Sequence, residues 1–258
     1  MTNTTRFDFD RAADYYDATR GFPPDVIEPA MALTAAVGAL SADHDLLEIG
    51  VGTGRVALPL SPRVGSYTGV DLSTRMMAVM DGSTHSIRRA QADATRLPFA
   101  TNTFDRALAS HIFHLIPDYH NALAELARVL KPEGLLILVL GGVARPPEVS
   151  EALSGTRGKR PGVSFTDMFT FLLDYGWEPV AEAQHVTFTA PVIPADAVRS
   201  VRGRHWSGLW ERSEEEIEQA AQTLEAALRA AYEDIEEPVA IEGEFSARAY
   251  RYASSSNV

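Results

Sequence analysis

The sequence predicts an α/β fold, a mostly parallel sheet covered by helices on both faces and enlarged by a helical insertion near its end. Three observations carry that expectation. Short apolar runs alternate with helix-patterned stretches through roughly the first 140 residues, which calls for crossover connections. One run, Leu135–Leu140, shows no polar alternation, as a strand buried on both faces would. Two later segments do alternate, yet about fifty residues separate them, far more than a hairpin needs.

Taken in order, the chain opens with an aromatic and polar stretch, Phe7 to Pro24, ending at Gly21-Phe22-Pro23-Pro24. Asp25 can cap a helix running to about Ala39, with Val26, Ala30, Leu33 and Val37 on one face. Residues 1–40 therefore read as an amino-terminal helical cap. Strands are expected at Asp45–Ile49, Tyr67–Asp71, Ile87–Ala92, Ala107–Ile112 and Leu135–Leu140. Helices are expected between them at Arg55–Leu60, Thr74–Met80 and Tyr119–Leu130, the last stopped by Pro132-Glu133-Gly134. Beyond Gly142 the pattern changes. Ala144–Gly162 reads as a long loop, Phe165–Tyr175 as a helix, and Ala183–Ala190 and Phe245–Tyr252 as strands at a sheet edge. Helical stretches at Asp196–Trp210 and Ser213–Ile235 make residues 194–240 an insertion, either a helical subdomain or a lid. The whole, 1–258, reads as one domain.

Composition narrows the function. With no cysteine among 258 residues there is no disulfide framework, thiolate zinc site or cysteine nucleophile, and no metal is expected. The first residues lack the apolar core of a secretory leader, and the longest apolar run, Gly134 to Ala144, is about half the ~20 residues a membrane helix needs. A soluble, cytoplasmic protein without a membrane partner is the expectation. A net charge of −12 argues against nucleic acid as a partner. Much of that charge lies between Glu211 and Glu244, where a solvated helix face is the plain explanation.

The chemistry is concentrated in Glu48-Ile49-Gly50-Val51-Gly52-Thr53-Gly54-Arg55, three glycines at alternate positions between a strand and a helix. Glycine there permits a tight turn and lets backbone approach a ligand that a Cβ would exclude. Glu48, Asp71 and Asp93 sit at the carboxyl ends of three successive strands, where open α/β sheets bind their ligands. An acid after the second strand can accept both hydroxyls of a ribose, and one after the third can accept an exocyclic amine. Dinucleotide binding, as in a nicotinamide-dependent oxidoreductase, is the alternative. Its fingerprint places a third glycine where this chain has Arg55. A carboxylate about 6 Å from a phosphate also repels it by roughly 3 kcal/mol at an effective dielectric near 20. Helix capping by these acids is the structural alternative for each taken singly.

With those residues in order, the chain resembles the class I S-adenosylmethionine-dependent methyltransferases, in particular the small-molecule type 11 branch. The resemblance runs from about Phe7 to Gly141. It implies a doubly wound, mostly parallel seven-stranded sheet with an antiparallel last strand, and S-adenosylmethionine as cofactor. Gly50, Gly52 and Gly54 with Glu48 match the cofactor loop, Asp71 the ribose acid, and Leu72 the residue over the adenine face. Asp93-Ala94 matches the adenine-reading pair. Arg96-Leu97-Pro98-Phe99, Phe104-Asp105 and Leu130-Lys131-Pro132-Glu133-Gly134-Leu135 match further landmarks, and Ser110-His111-Ile112-Phe113-His114 the segment beside the reacting methyl. The amino-terminal segment should fold over the cofactor, with Tyr15, Tyr16 and Arg20 facing inward.

The implied reaction is in-line displacement at a sulfonium methyl, transferring it to a small-molecule acceptor. Alignment is the protein's main task, and a base is needed only for an acceptor protonated at neutral pH. His111 and His114 are the candidates for that role, against the alternative of backbone contact or a core position. Arg202, Arg204, Trp206 and Trp210 could form a lid over the acceptor, or could be core tryptophans with arginines paired to Glu214–Glu218. Arg157, Lys159 and Arg160 form a second basic patch. A non-catalytic cofactor-binding relative is a further alternative, and the oligomeric state is left open.

Overall fold

The computed structural model describes residues 8–80, 86–153, 162–164 and 167–253. Its helices are α1 (Tyr16–Arg20), α2 (Pro24–Val37), α3 (Ala57–Leu60), α4 (Thr74–Ala78), α5 (Tyr119–Val129), α6 (Pro147–Ala152), α7 (Pro194–Arg202) and α8 (Glu214–Ala231). Its strands are β1 (Asp45–Ile49), β2 (Ser66–Asp71), β3 (Ile87–Gln91), β4 (Phe104–Ser110), β5 (Leu130–Gly141), β6 (Trp177–Pro179), β7 (Gln184–Val192) and β8 (Val239–Tyr252).

The sheet runs β3-β2-β1-β4-β5-β8-β6, with β7 also paired to β8. The first five strands are parallel, and β8 is antiparallel to β5, β6 and β7. Among the described residues, eight strands occupy seven places. Trp177–Pro179 pairs with the end of β8 at Tyr252–Tyr250, and Gln184–Val192 continues along the same edge from Ala247 to Val239. The expected seven-stranded sheet is therefore present, its outer strand broken between Val180 and Ala183. Helix α1 falls within the expected amino-terminal cap, whereas β6 and α6 are not among the sequence expectations. Of the helix expected from Phe165, residues 165–166 lie outside the described residues and a 3₁₀ turn at Phe171–Tyr175 follows.

Period-two side-chain alternation divides the sheet between two cores. Leu47, Ile49, Ala107, Ala109, Leu136 and Leu138 face one side, against Ala122, Leu123, Leu126 and Val129 of α5. Leu46, Leu108, Ile137 and Val139 face the other, against Val26, Ala30 and Met31 of α2 and Ala57 and Leu60 of α3. All these residues are buried, and β5 reads accordingly as an unbroken apolar run from Leu135 to Leu140. The insertion has its own core, in which Val198 and Val201 of α7 and Ile217, Leu224 and Leu228 of α8 pack on Val149 and Leu153 beside α6. Helix α8 begins with a capping box, Ser213 and Glu216 each accepting from the other's backbone N–H. Among the described residues no helix is long and apolar enough to cross a membrane.

Candidate active site

Parallel packing brings the carboxyl ends of β1, β2, β3 and β4 to one rim. There the chain leaves β1 through a loop with Gly50, Gly52 and Gly54 at φ +70°, +54° and +83°. These are left-handed conformations that side chains disfavour. At Gly50 a Cβ would also come within 2.6 Å of the Ile112 side chain. The loop is clamped to β2 by its own polar groups. Gly50 N–H donates to the Val70 carbonyl at 2.8 Å, and Gly52 N–H to Asp71 Oδ2 at 2.9 Å. Ser73 N–H meets Asp71 Oδ1 at 2.9 Å. Burial raises the Asp71 carboxyl above its ordinary value, against the pull of those backbone donors.

A cavity of about 620 Å³ opens over this rim, within the range of small-molecule sites. Of the residues expected at the cofactor, Gly50, Gly52, Asp71, Leu72, Asp93, Ala94, Ser110 and Tyr16 line it. Asp93 Oδ1 accepts from Thr95 N–H and Oγ1 at 2.9 and 2.8 Å. The amino-terminal segment forms one wall with Phe9 and Asp10, which the sequence reading did not single out. It is fastened on both sides. Asp10 bonds the Ser73 hydroxyl, Asp14 pairs with Arg75, and Asp17 accepts from the Thr53 hydroxyl at 2.5 Å.

Three expected cofactor contacts lie elsewhere. Glu48 lines neither cavity. It is buried below the loop, where the Tyr67 hydroxyl donates to Oε2 at 2.7 Å, and burial pushes its pKa up to about 8. Gly54 packs against Met80 and also lines neither, so its part is in the turn. Arg20 lines a second cavity instead.

That second cavity, about 310 Å³, shares Phe9, Tyr16, His111 and Leu115 with the first. The insertion roofs it with Trp206, Ser207 and Leu209, and His114 lies in its wall. His111 stands where the two cavities meet. Its backbone is left-handed, at φ +49°. Its Nε2 lies 3.0 Å from the Gly141 carbonyl, which can only accept, so Nε2 carries the proton and Nδ1 the lone pair. Burial, then the charge of Arg55, lowers its pKa to about 3, so the ring is neutral.

The lid residues divide. Trp206 lines the second cavity, under the Arg145 guanidinium 5.2 Å from its ring centre. Arg202 faces outward and pairs with Glu218 and Glu225, so the expectation of an acceptor contact is corrected. Arg204 and Trp210 also line neither cavity. The Trp210 indole N–H donates to the Arg204 carbonyl at 2.8 Å, and its ring packs edge-on to Phe9. The alternation of cations and aromatics here is a helix face meeting a turn. Arg55 and Arg145, both in the wall, were missed. In the sequence Arg55 registers only as the absence of a glycine. The patch Arg157, Lys159 and Arg160 lies outside the described residues.

Residues 47–138 match the methyltransferase domain family, and within that span lie the glycine loop, Asp71, Asp93 and His111. That span, a little over a third of the chain, is similar to a methyltransferase domain. It is 33% identical over 144 residues to an uncharacterized methyltransferase of Bacillus subtilis, YcgJ, a match covering 54% of this chain and 55% of that protein. It is 31% identical over 156 residues to a malonyl-[acyl-carrier protein] O-methyltransferase of Marinomonas, covering 58% and 56%. A putative methyltransferase from Bacillus halodurans has a similar fold, with TM-score 0.61 and 20% identity over 87% of this chain and 99% of that one. The chain thus spans only a little over half the length of the curated relatives it matches. None of these matches favours the nicotinamide-dependent alternative.

Proposed function

We propose that this chain binds S-adenosylmethionine in the larger cavity and transfers its methyl group to a small molecule held in the second. One observation carries the reading: two cavities, one edged by strand-end acids and one roofed by the insertion, share a wall at Tyr16 and His111. The glycine cradle and acid rim suit the cofactor's parts. Asp71 keeps lone pairs beyond those used by Gly52 and Ser73 and can accept the ribose diol. Asp93 can accept an exocyclic amine, and Leu72, 44% exposed at the rim, can cover the adenine.

When bound, the cofactor supplies an electrophilic methyl on a good, neutral leaving group. The protein's own residues then align and shield. Tyr16, Phe9 and Leu115 form the partition through which the acceptor atom approaches, and the fastened amino-terminal segment forms the wall on that side. Positioning of this kind supplies about 7–11 kcal/mol in ideal systems. His111 Nδ1, at the junction on a ring whose pKa is lowered to about 3, can accept a hydrogen bond from an acceptor hydroxyl and orient it, but is too weak a base to hold its proton at neutral pH. His114 contributes to the wall. A cytoplasmic location, in keeping with a cysteine-free chain, and an acceptor other than nucleic acid, in keeping with a charge of −12, belong to the same proposal.

Calorimetry with S-adenosylhomocysteine tests it. Wild type should bind, and Asp71→Ala should bind at least about 30-fold more weakly, since hydrogen bonds to a charged acceptor contribute about 1.5–3 kcal/mol each. Equal affinity in the two proteins would refute the assignment.

A further inference from the structure

We propose that the second cavity takes an acceptor bearing an acid group, a carboxylate or a phosphate on an otherwise apolar small molecule. That the bound molecule is a methyl acceptor rests on the methyl-transfer reading; that it is negatively charged rests on the cavity alone. Arg20, Arg55 and Arg145 all contribute to its wall, while the rest is largely apolar, including Leu140, Val143 and Leu209. Three guanidinium groups around about 310 Å³ are costly unless something negative answers them.

The protein does not supply that answer to two of them. Arg55 donates to the Arg20 carbonyl at 2.8 Å and lies 4.5 Å from the centre of the Phe22 ring. Arg20 donates to the His205 carbonyl at 3.2 Å and lies over Tyr16, and its Nε is buried without a partner. Each guanidinium carries five donors, and among the described residues neither reaches a carboxylate oxygen within ion-pair distance. The nearby acids are otherwise engaged: Asp17 accepts from Thr53, and Glu48 is held by Tyr67 with its carboxyl mostly protonated near neutral pH. The cofactor does not close the gap, because its sulfonium and ammonium outnumber its single carboxylate. That carboxylate can occupy one guanidinium at most in fork geometry, and another is left for the acceptor.

The experiment uses the whole chain with saturating S-adenosylhomocysteine. Calorimetry compares benzoate, 4-hydroxybenzoate and phenyl phosphate with benzamide, 4-hydroxybenzamide and phenol. At least one acid should bind tenfold or more tightly than its uncharged counterpart, and the arm that succeeds tells carboxylate from phosphate. Arg55→Gln should abolish that preference, Arg55→Lys should restore part of it, and Arg202→Gln on the outer face should leave it unchanged. Should Arg55→Gln not fold, Arg20→Gln gives the same reading, and the acid-to-neutral ratio in wild type decides without either. Acids binding no better than their neutral partners would overturn the proposal. So would acids that compete with S-adenosylhomocysteine, since the cluster would then serve only the cofactor's own carboxylate. Failure of wild type to bind S-adenosylhomocysteine would remove the methyl-transfer reading, while the same ratio measured without it still decides the cavity's charge preference.

Discussion

Replacing Glu48 with glutamine should make the protein's stability less dependent on pH. The carboxyl is buried beneath the glycine loop, with the Tyr67 hydroxyl 2.7 Å from Oε2. Loss of solvation raises its pKa to about 8, with the Tyr67 hydrogen bond and the Arg55 charge pulling down and Asp71 pushing up. An unfolded chain releases the same proton near 4.5. Below that value both states are protonated and pH has no leverage through this group. Between there and about 8 the unfolded state alone has lost its proton, so unfolding becomes easier by about 1.4 kcal/mol per pH unit. Above the folded value the loss is complete. Across pH 5 to 8 the group should therefore cost about 3–4 kcal/mol, the upper end requiring little relaxation around the anion. Glutamine cannot ionise, and its carbonyl can still accept from Tyr67. Urea unfolding of both proteins at pH 5, 6.5 and 8 should show wild type losing ground to Glu48→Gln by that amount. Parallel stability curves would refute the assignment of a protonated, desolvated carboxyl. Because Glu48 lines neither cavity, S-adenosylhomocysteine affinity should stay within about threefold at pH 6, less than 1 kcal/mol.

The His111 ring should remain Nε2-protonated and neutral from pH 8 down to 5 in a proton–nitrogen correlation spectrum. Titration near 6.5 would contradict the burial and cationic field assigned to it. Gly142→Ala forces a Cβ to within 2.0 Å of the Phe22 ring at φ +84°, and should cost about 2–4 kcal/mol. That corresponds to a drop in Tm of roughly 5–12 °C, whereas an unchanged Tm would mean that Phe22 is not held against the strand end.

The fold was legible where one rule governed a whole segment. Leu135–Leu140 is apolar throughout because both faces of β5 are covered, and Asp45–Ile49 stands where its apolar run ends at a glycine. Boundaries failed where tertiary pairing extended a strand past its apolar part. Val239–Glu244, with acids at alternate positions, becomes strand because β7 offers it a partner. Trp177–Pro179 is too short for any periodicity to register.

In the site, what could be read was what the backbone requires. Alternate glycines and strand-end acids report their position through local geometry, so eight cofactor candidates meet around one cavity. Side chains whose place depends on distant packing were harder. Arg202 and Arg55 look alike in sequence, each following a small residue or helix turn. Helix α7 turns the first toward the acids of α8, while the turn after Gly54 carries the second inward beneath Phe22. Charge in the sequence carries no sign of which cation will be buried. The structure separates them by their partners: Arg202 faces two carboxylates across solvent, and Arg55 faces a carbonyl, a ring and a cavity. A surface ion pair of the first kind contributes about 0–1 kcal/mol. A half-buried guanidinium that meets no carboxylate carries a cost that a bound anion would relieve. If the second cavity takes an acid, the physical difference between the two arginines is also the functional one.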